Sequence, residues 1–108
     1  MFASTATLAL FYVGAAYLVA LAWAAVLHDL INDPTEEGRA RAARRAGGYL
    51  VAGAVHPLFA LAAWDIARQV DGPGLERDAP CARLRSLAPV VAAVSASCAA
   101  VLFALAGR

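Results

Sequence analysis

Two histidines stand in a sequence that is otherwise apolar around them. His28 lies beside Asp29, and His56 precedes Asp65 in the same apolar block. An ionisable side chain within a membrane is costly, and it marks either a functional site or a polar group satisfied by its neighbours. Imidazole is an ordinary axial ligand of haem, so His56 and His28 are the candidates to hold a b-type haem or to contact a quinone. Pro57 follows His56 and removes a helical hydrogen bond, which leaves the Gly53 carbonyl without its usual donor beside a polar ring. The competing reading is a kinked helix in which a neutral His56 donates to a carbonyl or to a neighbouring helix. Depth opposes a haem shared by the two. His28 is within a turn of its membrane end and His56 two turns or more from the same side, an offset of about 6 Å or more. A histidine on another subunit would relieve that mismatch.

Asp65, with Arg68 three residues on, reads either as an interfacial ion pair or as a proton-carrying carboxylate. Asp29 has the same two readings, and the interfacial one is preferred. Cys81 and Cys98 form no disulfide framework, because a helix would separate them by about 25 Å. Cys98 reads as a packing residue, and Cys81 as a spare or intermolecular thiol. A glycine-rich phosphate loop, an H-E-x-x-H pair, paired-cysteine metal spacing and a nucleophile elbow are all missing from the sequence. The expectation is a protein that is not itself an enzyme.

The elements that must position these groups follow from composition. Of 108 residues 62% are hydrophobic and 16% charged, against roughly half and a quarter in a soluble domain. So small a globule cannot hide that surplus. An ordinary soluble domain, a disordered chain and a nucleic-acid binder are excluded, and the formal charge of +1 gives no reason for a polyanionic partner. All the basic residues are Arg and roughly a quarter of the chain is Ala, which suggests a GC-rich, bacterial coding sequence. The apolar residues fall into three blocks, each near the ~20 residues that a membrane crossing requires. The fold expected is therefore all-α, a single membrane domain over 1–108, with transmembrane helices at about 5–31, 47–69 and 86–106. Short loops join them, the first partly helical. The first block lacks a positive n-region and is about twice as long as a signal-peptide core, so it reads as a retained span.

The first loop carries a helix start, with Asp33 as N-cap, Pro34 at the first helical position and Glu36 at the capping-box position. Glu37 and Arg41 then form an i,i+4 pair. Gly47-Gly48 is a predicted kink or break. In the second loop Gly72-Pro73-Gly74 marks a turn. Asp78 or Ser86 is a candidate cap for the last helix, with Pro80 or Pro89 in its first turn.

Spacing within the helices adds a row of small residues. Ala88, Ala92, Ala96, Ala100 and Ala104 recur at every fourth position, with shorter versions at Ala16, Ala20, Ala24 and at Gly48, Ala52. Such rows let backbones approach and mark helix–helix contacts in lipid. Extended by four, the row ending at Ala24 reaches His28 and the row ending at Ala52 reaches His56, which places both histidines on contact faces. Tyr49 and Trp64 suit the interfaces, and Tyr12, Tyr17 and Trp23 suit helix packing. Arg39, Arg41, Arg44 and Arg45 suit lipid headgroups and orientation. With four arginines in or beside each loop the orientation is almost a tie, and the compact first loop tips it to N-terminus out, C-terminus in.

The function expected is that of a small accessory or structural subunit of a larger membrane complex, of the respiratory or photosynthetic electron-transport kind, in a bacterial inner membrane. Its partners would be other membrane subunits and lipids, not nucleic acid. The alternatives are a haem b- or quinone-binding anchor of an oxidoreductase using His56, and a homo-oligomeric pore or small transporter.

Overall fold

A computed structural model describes residues 4–72 and 81–107. The described residues are all-helical and form four helices, two of them long and apolar enough to cross a membrane. Three of the expected features lie outside the described residues: the turn at Pro73-Gly74, the cap at Asp78 with Pro80 in the first turn, and Arg77 and Arg108 in the orientation count.

The first helix, α1, is Thr5–Asn32. The Ser4 hydroxyl caps it by accepting the Thr7 N–H at 3.2 Å, and at 28 residues it is about 42 Å long. It stops before Pro34. The second helix, α2, is Glu36–Ala52, and its N-cap is Thr35, whose hydroxyl accepts the Gly38 N–H at 3.1 Å. The expected cap, Asp33, instead closes α1: its N–H reaches the Asp29 carbonyl, and its carboxylate takes the Thr35 hydroxyl and Arg41. Gly38 allows this tight corner, because a β-carbon there would collide with the Asp33 carbonyl oxygen. The predicted break at Gly47-Gly48 is absent, and α2 runs through both glycines. Buried Ala42 and Ala46 pack α2 against its neighbours, and this outweighs the cost of about 1 kcal/mol for each helical glycine.

The break comes instead at Gly53–His56. There the chain reverses and starts α3, Pro57–Asp71. The predicted continuous span at 47–69 is thus the end of one helix, a turn and a second helix. The cause is local. Pro57 bars its predecessor from helical geometry, and His56 is extended, at φ −146° and ψ 126°. Gly53 completes the turn by close approach: a β-carbon on it would meet Ala60 Cβ at 2.9 Å and Val91 Cγ1 at 3.0 Å.

The last helix, α4, is Ala82–Ala106. It begins four residues before the expected 86. Ser86 lies inside it, donating to the Arg83 carbonyl at 2.8 Å, and Pro89 lies inside it as well. The four helices alternate in direction. Arg45 of α2 reaches back to Asp29 of α1, Tyr49 of α2 meets Phe59 of α3, and Tyr12 of α1 meets Phe103 of α4.

Helix α3 is the centre of the molecule and packs on all three others. Its Ala60, Ala62, Ala63, Ile66 and Ala67 are fully buried, and small side chains let three helices close around it. The main core joins Val26 and Leu30 of α1, Ala42 and Ala46 of α2, and Ile66, Ala67 and Val70 of α3 with Cys81. The molecule is a thin slab of 50 × 26 × 17 Å. Along α1 only Val19, Val26 and Leu30 are buried, and along α4 only Ala88 and Ser95. Leu10, Phe11 and Leu18 of α1 and Val94, Val101 and Leu105 of α4 are exposed, an apolar exterior of the sort that lipid or a partner covers.

Candidate functional site

His56 is the most buried titratable side chain near the apolar end, and the turn uses both sides of its ring. Nδ1 accepts the Leu58 N–H at 3.1 Å, which makes the imidazole the N-cap of α3. Nε2 lies 3.2 Å from the Tyr12 carbonyl oxygen. Because Leu58 N–H only donates and a carbonyl only accepts, the ring sits as the neutral Nε2–H tautomer. The Tyr12 ring stacks on it at 4.0 Å between centroids, and Phe103 meets Tyr12 edge-on at 5.6 Å. One imidazole thus joins α1 to the turn and to α3, and the Tyr12 ring reaches α4. The expected donation to a carbonyl is made, but at a break between two helices and not at a kink within one.

The two histidines do not converge. His28 is exposed, and the Asn32 amide donates to its carbonyl at 2.9 Å. His56 meets α1 at Tyr12, sixteen residues before His28, or about 24 Å along the helix. An axial ligand must present an unengaged ring nitrogen, and both nitrogens of His56 are engaged. Among the described residues no group of three His, Cys, Asp or Glu is placed to hold a metal ion.

At the opposite end the charged side chains hold helices together. Arg41 pairs with Asp33 and, at 3.8 Å, with Glu37, while Arg45 pairs with Asp29 at 3.1 Å. The Thr35 and Arg41 hydrogen bonds hold the Asp33 carboxyl below its usual range. Asp65 takes three hydrogen bonds, from Arg68 at 2.8 Å, Gln69 at 3.2 Å and the Trp23 indole at 2.9 Å. The Arg68 guanidinium lies over the Trp64 ring at 5.3 Å. The i,i+3 pair was legible in the sequence, whereas Trp23, 42 residues away, left no local signal. The Asp71 carboxylate is wholly buried, accepting the Cys81 N–H at 2.9 Å and Arg85 Nε at 2.6 Å. Burial, and then the nearby Asp71 charge, pushes the Cys81 thiol up. Both cysteines are free, Cys81 buried and Cys98 exposed. Arg39 and Arg44 are exposed, with no ion-pair partner among the described residues.

The rows of small residues do not keep to one face. Ala88 is buried and Ala92 half-buried, but Ala96, Ala100 and Ala104 are exposed. A step of four residues turns about 40° past a full turn of a 3.6-residue helix, so four steps rotate about 160°. The row therefore starts against α3 and ends on the outside. The inner face of α4 follows Ala88, Val91, Ser95, Ala99 and Phe103 instead. On α1, Ala16 is half-buried and Ala20 and Ala24 are exposed; Gly48 is exposed and Ala52 half-buried.

The chain matches no protein-family model, no curated protein and no solved structure.

Proposed function

We propose that this chain is a small membrane-embedded accessory subunit that docks through the outer face of α4 onto another helical subunit of a larger complex. A respiratory or photosynthetic assembly of a bacterial inner membrane is the setting we favour. One observation carries the reading: Ala96, Ala100 and Ala104, with Ser97 beside them, lie exposed on the side of α4 that turns away from α3. In lipid, association draws on close packing, and a surface of alanines and a serine permits it where leucines would not. The buried and polar groups support the same reading, because His56, Asp65 and Asp71 are each used to tie helices together.

The test is co-purification in a mild detergent followed by native mass spectrometry, comparing Ala100→Leu with Val94→Leu. Both sites are exposed, but Val94 is on a different side of the helix. The expected result is a defined partner at fixed stoichiometry, lost or weakened at least tenfold by Ala100→Leu and retained in Val94→Leu. A lone species, or equal retention of both variants, overturns the proposal.

A further inference from the structure

We propose that α2 and α3 form a re-entrant hairpin, so that the chain crosses the bilayer twice and carries its arginine-rich end on the cytoplasmic face and the free ends of α1 and α4 on the other. This is independent of whether a partner docks on α4.

Charge divides the molecule along its length. The carboxylates of Asp29, Asp33, Asp65 and Asp71 and the arginines paired with them all lie at one end. From Asp29 back to Thr5 and from Arg85 on to Ala106 the described chain is uncharged, about 36 Å and 32 Å of helix. Each is enough for a hydrocarbon core of about 30 Å. The hairpin is not. From Arg45 to Gly53, and from Asp65 back to His56, it extends only about 12–14 Å, and where His56 meets Tyr12, α1 still has seven residues, about 10 Å, to run to Thr5, so the turn stops within the apolar layer.

A turn at that depth is tolerated only if its backbone donors are satisfied, and here they are. The N–H groups of Gly53, Ala54 and Val55 reach the carbonyls of Tyr49, Val51 and Ala52, that of His56 lies 3.4 Å from Ala52, and that of Phe59 reaches His56. Pro57 has no N–H, and the His56 ring takes that of Leu58. The side chains left outside are apolar, with Val51 and Val55 among the most exposed in the protein. Past the turn α1 and α4 continue together. A β-carbon on Gly107 would lie 3.8 Å from the Thr5 hydroxyl, so the two helix ends share one face.

This resolves the arginine tie. In a three-span chain the two loops face opposite sides. Folded back at Gly53–His56, both join the same end, and α2, Arg68, Arg83 and Arg85 all count toward one face. The positive-inside rule then gives a decided answer, and the expected arrangement with the termini on opposite sides is replaced.

Single cysteines in a Cys81→Ser, Cys98→Ala background, labelled in intact cells with a membrane-impermeant maleimide, test the proposal. Thr5→Cys and Gly107→Cys are expected to react from outside. Glu37→Cys and Arg83→Cys are expected to react only after permeabilisation, and Val55→Cys only after denaturation in detergent. Thr5 and Gly107 on opposite faces, or Glu37 and Arg83 on opposite faces, would overturn the hairpin. Ready labelling of Val55 would overturn its depth, and the same pattern with faces exchanged would overturn the orientation. All four surface sites are exposed, so loss of folding does not mask the outcome.

Discussion

Replacing His56 by leucine removes three interactions at once. The Nδ1 cap on Leu58 contributes about 1 kcal/mol, as helix caps do. The Nε2–H bond to the Tyr12 carbonyl adds about 1 kcal/mol, and the stack on Tyr12 about 0.5–1.5 kcal/mol. The expected loss is about 3 kcal/mol, a large part of the 5–15 kcal/mol that a typical domain has in total. His56→Asn separates the contributions. Asparagine is a good N-cap residue and keeps the bond to the start of α3, but it gives up the ring stack and the reach to Tyr12. It should lose about 2 kcal/mol. Reversible unfolding in mixed micelles of increasing denaturing detergent, followed by the fluorescence of Trp23 and Trp64, measures both. The order wild type, Asn, Leu is the prediction. Equal losses for Asn and Leu would show that the cap is not what His56 supplies, and an unchanged Leu variant would refute the stabilising role altogether.

Gly38→Ala drives a methyl group into the Asp33 carbonyl and should open the α1–α2 corner; we expect a loss of at least 1–3 kcal/mol in the same titration, whereas Gly48→Ala, with open space around it, should be neutral or stabilising. Asp33 titrates below its ordinary value when folded, so its contribution is present above pH about 4 and is lost as the pH falls through the lowered value. Stability should drop on acidification in the wild type and less so in Asp33→Asn, and identical pH profiles would contradict this. With the protein folded in the membrane a maleimide should modify both cysteines slowly, Cys98 because lipid surrounds it and Cys81 because burial and a raised titration point protect it; rapid labelling of Cys98 would contradict the membrane placement of α4.

The parts of the fold that were legible in the sequence are those set by neighbouring residues. Helices α1 and α4 follow from long uncharged stretches, and the pairs Glu37–Arg41 and Asp65–Arg68 from helical spacing. The hairpin was not legible, because hydropathy sums apolar residues without regard to direction. The stretch from Gly47 to Ile66 has the composition of a span whether the chain goes straight or doubles back. The His56-Pro57 step announced a disturbance, but its size depends on Gly53 meeting Ala60 and Val91. The row of alanines on α4 passes from the inside of the molecule to the outside for a geometric reason, the drift of a four-residue repeat. The links that join one helix to another, such as Trp23–Asp65, Arg45–Asp29 and Arg85–Asp71, have no local signature at all.

Asp71 has a consequence for how the protein can be taken apart. Its carboxylate grips the backbone of Cys81 and the side chain of Arg85, so α3 and α4 are stitched together by direct contacts between their facing ends. Two co-expressed fragments, one ending at Gly72 and one beginning at Cys81, are expected to reassemble, with Asp71 as the clasp that rejoins them.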